Sequence, residues 1–215
     1  MDKLEMMEWI QETGVIAIMR AKSSGQLLAA ADAIKAGGVQ AIEVTMTTPG
    51  ALDVIRQATE RYGADVLFGV GSVLDPESAR AAILAGAQFV VSPTLNLKTI
   101  ELCHRYAIPV VPGAYTPTEI LTAWEAGADM VKVFPASVGG PAYFKAVKAP
   151  LPQVKLVPVG GVDLDTTADF IRAGADAVGV GSALVSQKLL DAGDFAALTE
   201  RARRLRQEVA KGRAT

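Results

Sequence analysis

The chain has 215 residues, half of them apolar, and 21 Lys and Arg stand against 23 Asp and Glu for a formal net charge of −2. That balance suits one compact domain, residues 1–215, with a large core, and the scattered charges leave no basic footprint for nucleic acid or an anionic membrane surface. One cysteine, Cys103, excludes an intrachain disulfide, and no leader pattern or apolar run of the roughly 20 residues that span a membrane is read, so a cytoplasmic protein acting on a small molecule is expected.

In chain order, Asp2 to Glu12 reads as an opening helix. Short β-branched runs follow at 15–19, 41–46, 66–70, 89–92, 109–112, 130–134, 155–159 and 177–180, each of strand length. Between them lie Ala- and Leu-rich segments of helical length, among them Gln26 to Ala36, Pro76 to Ala85 and Pro117 to Ala126. Two of these carry Pro in the first turn, where its missing N–H does no harm. Asp194 to Lys211 reads as a closing helix. One phrase repeats: Ala36-Gly37-Gly38, Ala85-Gly86-Ala87, Ala126-Gly127-Ala128 and Ala173-Gly174-Ala175, each before an apolar run. Glycine there predicts a helix end followed by a buried strand. Eight alternating β and α units in this length predict a (β/α)8 TIM barrel with an N-terminal helix. The rival is an open doubly wound sheet, which lacks support from a GxGxxG at the first helix.

Barrels of this kind gather function at the C-terminal ends of their strands. In Met130-Val131-Lys132-Val133-Phe134-Pro135, alternation puts the valines on one face and Lys132 on the other; if the valines meet the helices, Lys132 points inward. Burial disfavours a charged lysine and makes a neutral, nucleophilic amine accessible near neutral pH. In Ala41-Ile42-Glu43-Val44-Thr45-Met46 the same logic turns Glu43 and Thr45 inward. One amine and one carboxylate form the minimum kit for imine chemistry, although a buried Glu43–Lys132 ion pair would account for both equally simply. Gly160-Gly161 and Gly179-Val180-Gly181-Ser182 fall in the loops after strands seven and eight, where many barrels bind phosphate on backbone N–H groups; tight turns alone would also explain them. Arg20, directly after strand one, is a candidate anion ligand. Gly69 and Gly71 leave space for a substrate or for packing. Cys103 reads as a packing group and His104 as a surface residue, so no His-rich zinc site can be assembled and no metal or cofactor is expected. Trp9 and Trp124 also read as packing groups.

At these residues the sequence resembles the class I 2-keto-3-deoxy-6-phosphogluconate (KDPG) and 4-hydroxy-2-oxoglutarate (KHG) aldolases. The marks are Ile42-Glu43-Val44-Thr45, Gly69-Val70-Gly71-Ser72-Val73-Leu74, Val91-Ser92-Pro93, Val111-Pro112-Gly113, Val131-Lys132-Val133-Phe134-Pro135-Ala136 and Gly160-Gly161. The resemblance covers nearly the whole chain. It implies a Schiff-base role for Lys132 and an acid/base role for Glu43. It further implies a pyruvyl pocket at Gly71, Ser72, Pro93 and Phe134, a phosphate end at Gly160, Gly161, Gly181 and Ser182, and a homotrimer.

Two positions depart from the gluconate-type pattern. Thr47 stands where those enzymes carry an arginine that holds the substrate carboxylate, which leaves that task to other groups such as Arg20. Val159 precedes Gly160-Gly161 where threonine is usual, and with Gly140-Pro141-Ala142-Tyr143-Phe144-Lys145 it is similar to the 2-keto-3-deoxy-6-phosphogalactonate (KDPGal) aldolases. The expected activity is cleavage of a 2-keto acid to pyruvate and an aldehyde, glyceraldehyde 3-phosphate or glyoxylate. A metal-free phosphosugar isomerase or epimerase based on Glu43, and a non-catalytic barrel that binds a phosphorylated metabolite, are the competing readings.

Overall fold

A computed structural model describes residues 1–20 and 22–214. Helix α1 (Lys3–Thr13) begins at a reciprocal cap: Asp2 accepts from the Glu5 N–H and the Glu5 carboxylate accepts from the Asp2 N–H. The strands are β1 (Val15–Met19), β2 (Ala41–Thr45), β3 (Leu67–Gly71), β4 (Val90–Val91), β5 (Val110–Val111), β6 (Gly113–Ala114), β7 (Val131–Val133), β8 (Leu156–Pro158) and β9 (Val178–Val180). The helices after α1 are α2 (Ser24–Ala36), α3 (Ala51–Tyr62), α4 (Pro76–Leu84), α5 (Leu97–Arg105), α6 (Pro117–Glu125), α7 (Gly140–Lys148), α8 (Thr167–Arg172), α9 (Gln187–Ala192) and α10 (Phe195–Arg213).

All strand pairs are parallel. One sheet runs β5-β4-β3-β2-β1-β9 and the other β6-β7-β8. The predicted run at 109–112 yields β5, and a further short strand, β6, follows just past Pro112, which has no N–H to give a ladder. Carbonyls on both sides of the division still accept from one neighbour, Val110 from the Asp129 N–H, Pro112 from Lys132 and Ala114 from Phe134. A single bridge, Val159 to Gly179, joins the other edges. In the larger sheet β1 lies between β2 and β9, so the first and last strands of the chain are neighbours.

The sheets curl around an inner core. Ile16, Ala41, Leu67, Phe89, Val91, Val111, Met130, Val157 and Ala177 meet there, and the α1 face formed by Met6, Met7 and Ile10 packs onto them. A second, larger core lies between the strands and the outer helices and contains Ile42, Val44, Val131 and Val133. Every strand therefore has two buried faces. That is why the strand runs read as nearly continuous apolar stretches. Trp9 joins the inner core and donates to the Gln40 side chain; Trp124 packs on the outer one.

The repeated glycines end helices as predicted, with one adjustment. Gly38, Gly86, Gly127 and Gly174 are left-handed, with φ of 88°, 107°, 91° and 99°, whereas Gly37 remains helical. After each, the next N–H returns to a carbonyl five residues back: Val39 to Ile34, Ala87 to Ala82, Ala128 to Ala123 and Ala175 to Phe170. This closes the last turn and sends the chain into the following strand. Helix α5 uses the same device, with Ile108 bonded to Cys103, but the left-handed residue is Ala107 at φ 52°. A Cβ in that conformation is strained. Ala107→Gly is therefore expected to raise unfolding free energy by about 1 kcal/mol or less, because relief of strain exceeds the added freedom of the unfolded chain. Gly127→Ala, whose Cβ would lie 2.3 Å from His104 Cε1, should lower it. Urea denaturation of the two variants checks both signs.

Candidate active site

Glu43 and Lys132 reach the same interior from different sheets. On β2, Ile42 and Val44 belong to the outer core, so alternation turns Glu43 and Thr45 inward, where they are 2% and 1% exposed. On β7, Val131 and Val133 take the outer face and Lys132 turns inward at 6% exposure. Register sets their neighbours: Glu43 lies beside Ile18 and Gly69, and Lys132 beside Gly113 and Val157. The floor beneath is hydrocarbon, as the inner core supplies it.

The β3 glycines fit two particular groups. A Cβ at Gly69 would lie 2.4 Å from the Phe89 ring, and one at Gly71 would lie 1.6 Å from Glu43 Oε1. Gly69 thus admits the aromatic floor, so its role is packing. Gly71 admits the carboxylate. The next residue, Ser72, holds a positive φ of 59°, a conformation that side chains other than glycine seldom adopt.

No ion pair formed by the described residues includes Glu43 or Lys132, so a close buried salt bridge does not account for them. Their surroundings act on them instead. Burial holds the Lys132 amine below the ordinary lysine value; the charge of Glu43 opposes this and the Arg20 guanidinium reinforces it. Burial raises Glu43 above the ordinary carboxyl value, against the pull of Lys132 and Arg20. Desolvation leads in both cases. It leaves an amine that loses its proton more easily and a carboxyl that keeps one more easily than in water.

A cavity of about 630 Å³ opens beside this pair, lined by Arg20, Phe134, Gly160, Gly161, Gly181 and Ser182 among others. Six of the predicted site residues thus share one wall. Lys132, Glu43, Thr47, Gly71, Ser72 and Pro93 do not line it. Phe134 stands between: its ring is 5.1 Å from Lys132 Nζ and also forms part of the cavity wall, 40% exposed. Gly160 and Gly161, at φ 86° and 80°, make the opposing turn, and a Cβ at Gly160 would come within 3.2 Å of the Phe134 ring. Thr47 is exposed, and its hydroxyl is 2.9 Å from that of buried Thr45, whose oxygen also lies 3.4 Å from the Thr48 hydroxyl. Pro93 is half-buried, and its carbonyl would be 2.3 Å from a Cβ at Gly113.

Sequence reasoning missed Asp163 and Gln187 in the cavity wall. Asp163 lies two residues past the Gly160-Gly161 turn, and its carboxylate accepts from the Asp165 and Thr166 N–H groups. Gln187 begins α9 and carries no motif. Cys103 is buried and His104 is exposed, with Nε2 at 2.8 Å from the Gly127 carbonyl. Among the described residues no group of three His, Cys, Asp or Glu side chains converges to hold a metal ion.

A buried amine and a buried carboxylate, turned into one interior beside a cavity, are groups suited to chemistry on a carbonyl compound. Residues 6–201 match the KDPG and KHG aldolase family. Over 179 residues, 83% of this chain and 87% of the relative, the sequence is 37% identical to 2-dehydro-3-deoxy-6-phosphogalactonate aldolase of Escherichia coli K12. Over 196 residues, 91% of each, it is 37% identical to 2-dehydro-3-deoxy-phosphogluconate aldolase of Treponema pallidum. The crystal structure of the Legionella pneumophila KDPG aldolase, with pyruvate captured at low pH as a covalent carbinolamine, is similar with a TM-score of 0.84 and 28% identity, over 89% of this chain and 93% of that one. The chain belongs to the KDPG and KHG aldolase family, and it is a lyase.

Gly71→Ala tests the fit between β3 and Glu43. The added methyl must displace the carboxylate, and a shift of that size should lower kcat about 100-fold. Circular dichroism should show an unchanged fold. Retained kcat would mean that the carboxylate position does not matter.

Proposed function

We propose that this chain is a class I pyruvate aldolase in which Lys132 forms the Schiff base and Glu43 moves the protons. The observation that carries the reading is the pair itself: two inward, buried, titratable groups with no close ionic partner among the described residues, beside a cavity whose rim bears Arg20. The captured carbinolamine in the Legionella relative supports a covalent amine route.

The neutral Lys132 Nζ adds to the C2 carbonyl of a 4-hydroxy-2-keto acid and its displaced proton passes to the oxygen; a second proton, from the Glu43 carboxyl, lets that oxygen leave as water and gives an iminium and the Glu43 carboxylate. Glu43 removes the C4 hydroxyl proton, directly or through water. The C3–C4 electron pair then moves into the iminium as the C4 oxygen becomes an aldehyde. The enamine left on Lys132 takes a proton at C3, and hydrolysis returns pyruvate and the free amine. Arg20 and the Thr47 hydroxyl are assigned to anionic or polar ends of the substrate, Gly71, Ser72, Pro93 and Phe134 to the pyruvyl part, and Gly160, Gly161, Gly181 and Ser182 to the phosphate end.

The substrates assigned are KDPG, KDPGal and 4-hydroxy-2-oxoglutarate. Val159 in the cavity wall and the likeness to the E. coli phosphogalactonate enzyme favour KDPGal among the phosphorylated ones. An isomerase or a binding-only barrel would need no imine-forming lysine, so the membership in an aldolase family weighs against both. We further assign a closed single-domain (β/α)8 barrel, in which β5 and β6 are halves of one strand; the bonds from Val110, Pro112 and Ala114 to the β7 segment and the Val159–Gly179 bridge support closure. The resemblance supports a homotrimer, the single cysteine suits the reducing cytoplasm, and the imine route calls for no cofactor.

Borohydride with pyruvate should add mass at Lys132, and Lys132→Ala should abolish both labelling and turnover. Labelling that persists in Lys132→Ala would sink the assignment. The pH profile gives a second check. Because Arg20 lowers the Lys132 pKa, Arg20→Met should raise it, and the acid limb of kcat/KM, where the amine becomes protonated, should move to higher pH. Movement to lower pH, or none, would remove Arg20 from the electrostatics of the amine.

A further inference from the structure

Among the described residues the cavity wall carries two charged side chains, Arg20 and Asp163, and they are of opposite sign. Asp163 lies in the loop after β8, two residues past the glycine turn to which the phosphate end is assigned. Its two carboxylate oxygens differ. Oδ1 accepts from the Asp165 N–H at 3.0 Å, from the Thr166 N–H at 2.9 Å and from the Thr166 hydroxyl at 2.9 Å. The Thr166 hydroxyl oxygen accepts in turn from the Asp163 N–H at 3.0 Å. These bonds shape the turn into α8, and they use one oxygen. Asparagine closes such turns as well as aspartate does, so the turn requires neither the second oxygen nor the charge. Oδ2 has no hydrogen-bond or ion-pair partner among the described residues, and the residue is half-buried in the cavity wall. A partly desolvated acceptor gains most from a donor that the substrate brings, and a hydroxyl bonded to a carboxylate is a strong pair. A phosphate brought to the same wall meets like charge.

We propose that Asp163 is a specificity-determining residue: its unpartnered oxygen accepts from a hydroxyl of the substrate's aldehyde half, and its charge disfavours a phosphate there. This chain therefore also cleaves 2-keto-3-deoxy acids whose aldehyde half ends in a free hydroxyl. The proposal rests on reading this cavity as the seat of the aldehyde half. Arg20 and the glycine turns still attract an anion, so phosphorylated substrates are admitted, but against an opposing charge that the fold does not need.

The test uses the full chain and a coupled pyruvate assay on KDPGal and on the same 2-keto-3-deoxy acid without its phosphate. The native chain should cleave both, and failure to cleave the unphosphorylated acid would overturn the proposal. Asp163→Asn keeps the acceptor that shapes the turn and removes the charge. Its kcat/KM should rise on KDPGal and fall on the unphosphorylated acid, which moves the ratio of the two about tenfold toward phosphate. A ratio that stays put or moves the other way defeats the assignment. The charges that act on the Lys132 amine are those of Glu43 and Arg20, so inactivation by borohydride with pyruvate alone should keep its rate in Asp163→Asn; a slower rate would point to a general disturbance and count against a role in specificity. Ser182→Trp places an indole on the same wall. If it raises KM for both substrates while Asp163→Asn leaves the ratio unmoved, this proposal fails and the reading of the cavity stands. If Ser182→Trp leaves both KM values unchanged, both fail.

Discussion

Desolvation of one amine and one carboxyl inside a hydrocarbon interior is the constraint around which the strands are arranged. Among the described residues neither Glu43 nor Lys132 has an ionic partner at contact distance, and the cross-strand neighbours of each are apolar or glycine. Such burial opposes folding, since both groups would be better solvated in an unfolded chain. The rest of the fold offsets it with two apolar cores, one on each face of the strands, and with α1 covering the inner one from the end that Met6, Met7 and Ile10 reach. A single-faced sheet would have offered these side chains water.

The same constraint explains the glycines of β3 without appeal to turns. Position 71 has no side chain because the space is already filled by a carboxylate, and position 69 has none because an aromatic ring fills it. Glycine weakens a strand locally. Here it lets the neighbouring strand carry a functional group inward at full length, which a methyl group would prevent.

Much of this was legible in the sequence because it depends on period two and on helix ends. The alternation at 41–46 and 130–134 turned Glu43 and Lys132 inward correctly, and the repeated Ala-Gly phrases marked four helix ends whose backbone bonds all share one pattern. What escaped notice depends on distance between remote segments. Ala107 occupies a glycine position in the helix-end series but lacks the glycine that would announce it. Strand β6 lies just past Pro112, where the apolar run that reads as a strand has already ended. Asp163 and Gln187 enter the cavity wall through the packing of loops, and nothing about their residue types signals it. Thr47 was legible as a departure, yet the hydroxyl cluster it forms with Thr45 and Thr48 is a matter of rotamers.

The ring of Phe134 lies between the amine and the open cavity, touching the space of one and the wall of the other. Under the proposed assignment a substrate must lie across that ring, its ketone half read by strands β2 and β7 and its aldehyde half by the loops after β8 and β9. The two halves are then encoded by separate stretches of chain. Changes in the loops can exchange one aldehyde partner for another while the chemistry at the lysine is inherited intact, so the aromatic partition makes the specificity of the enzyme modular.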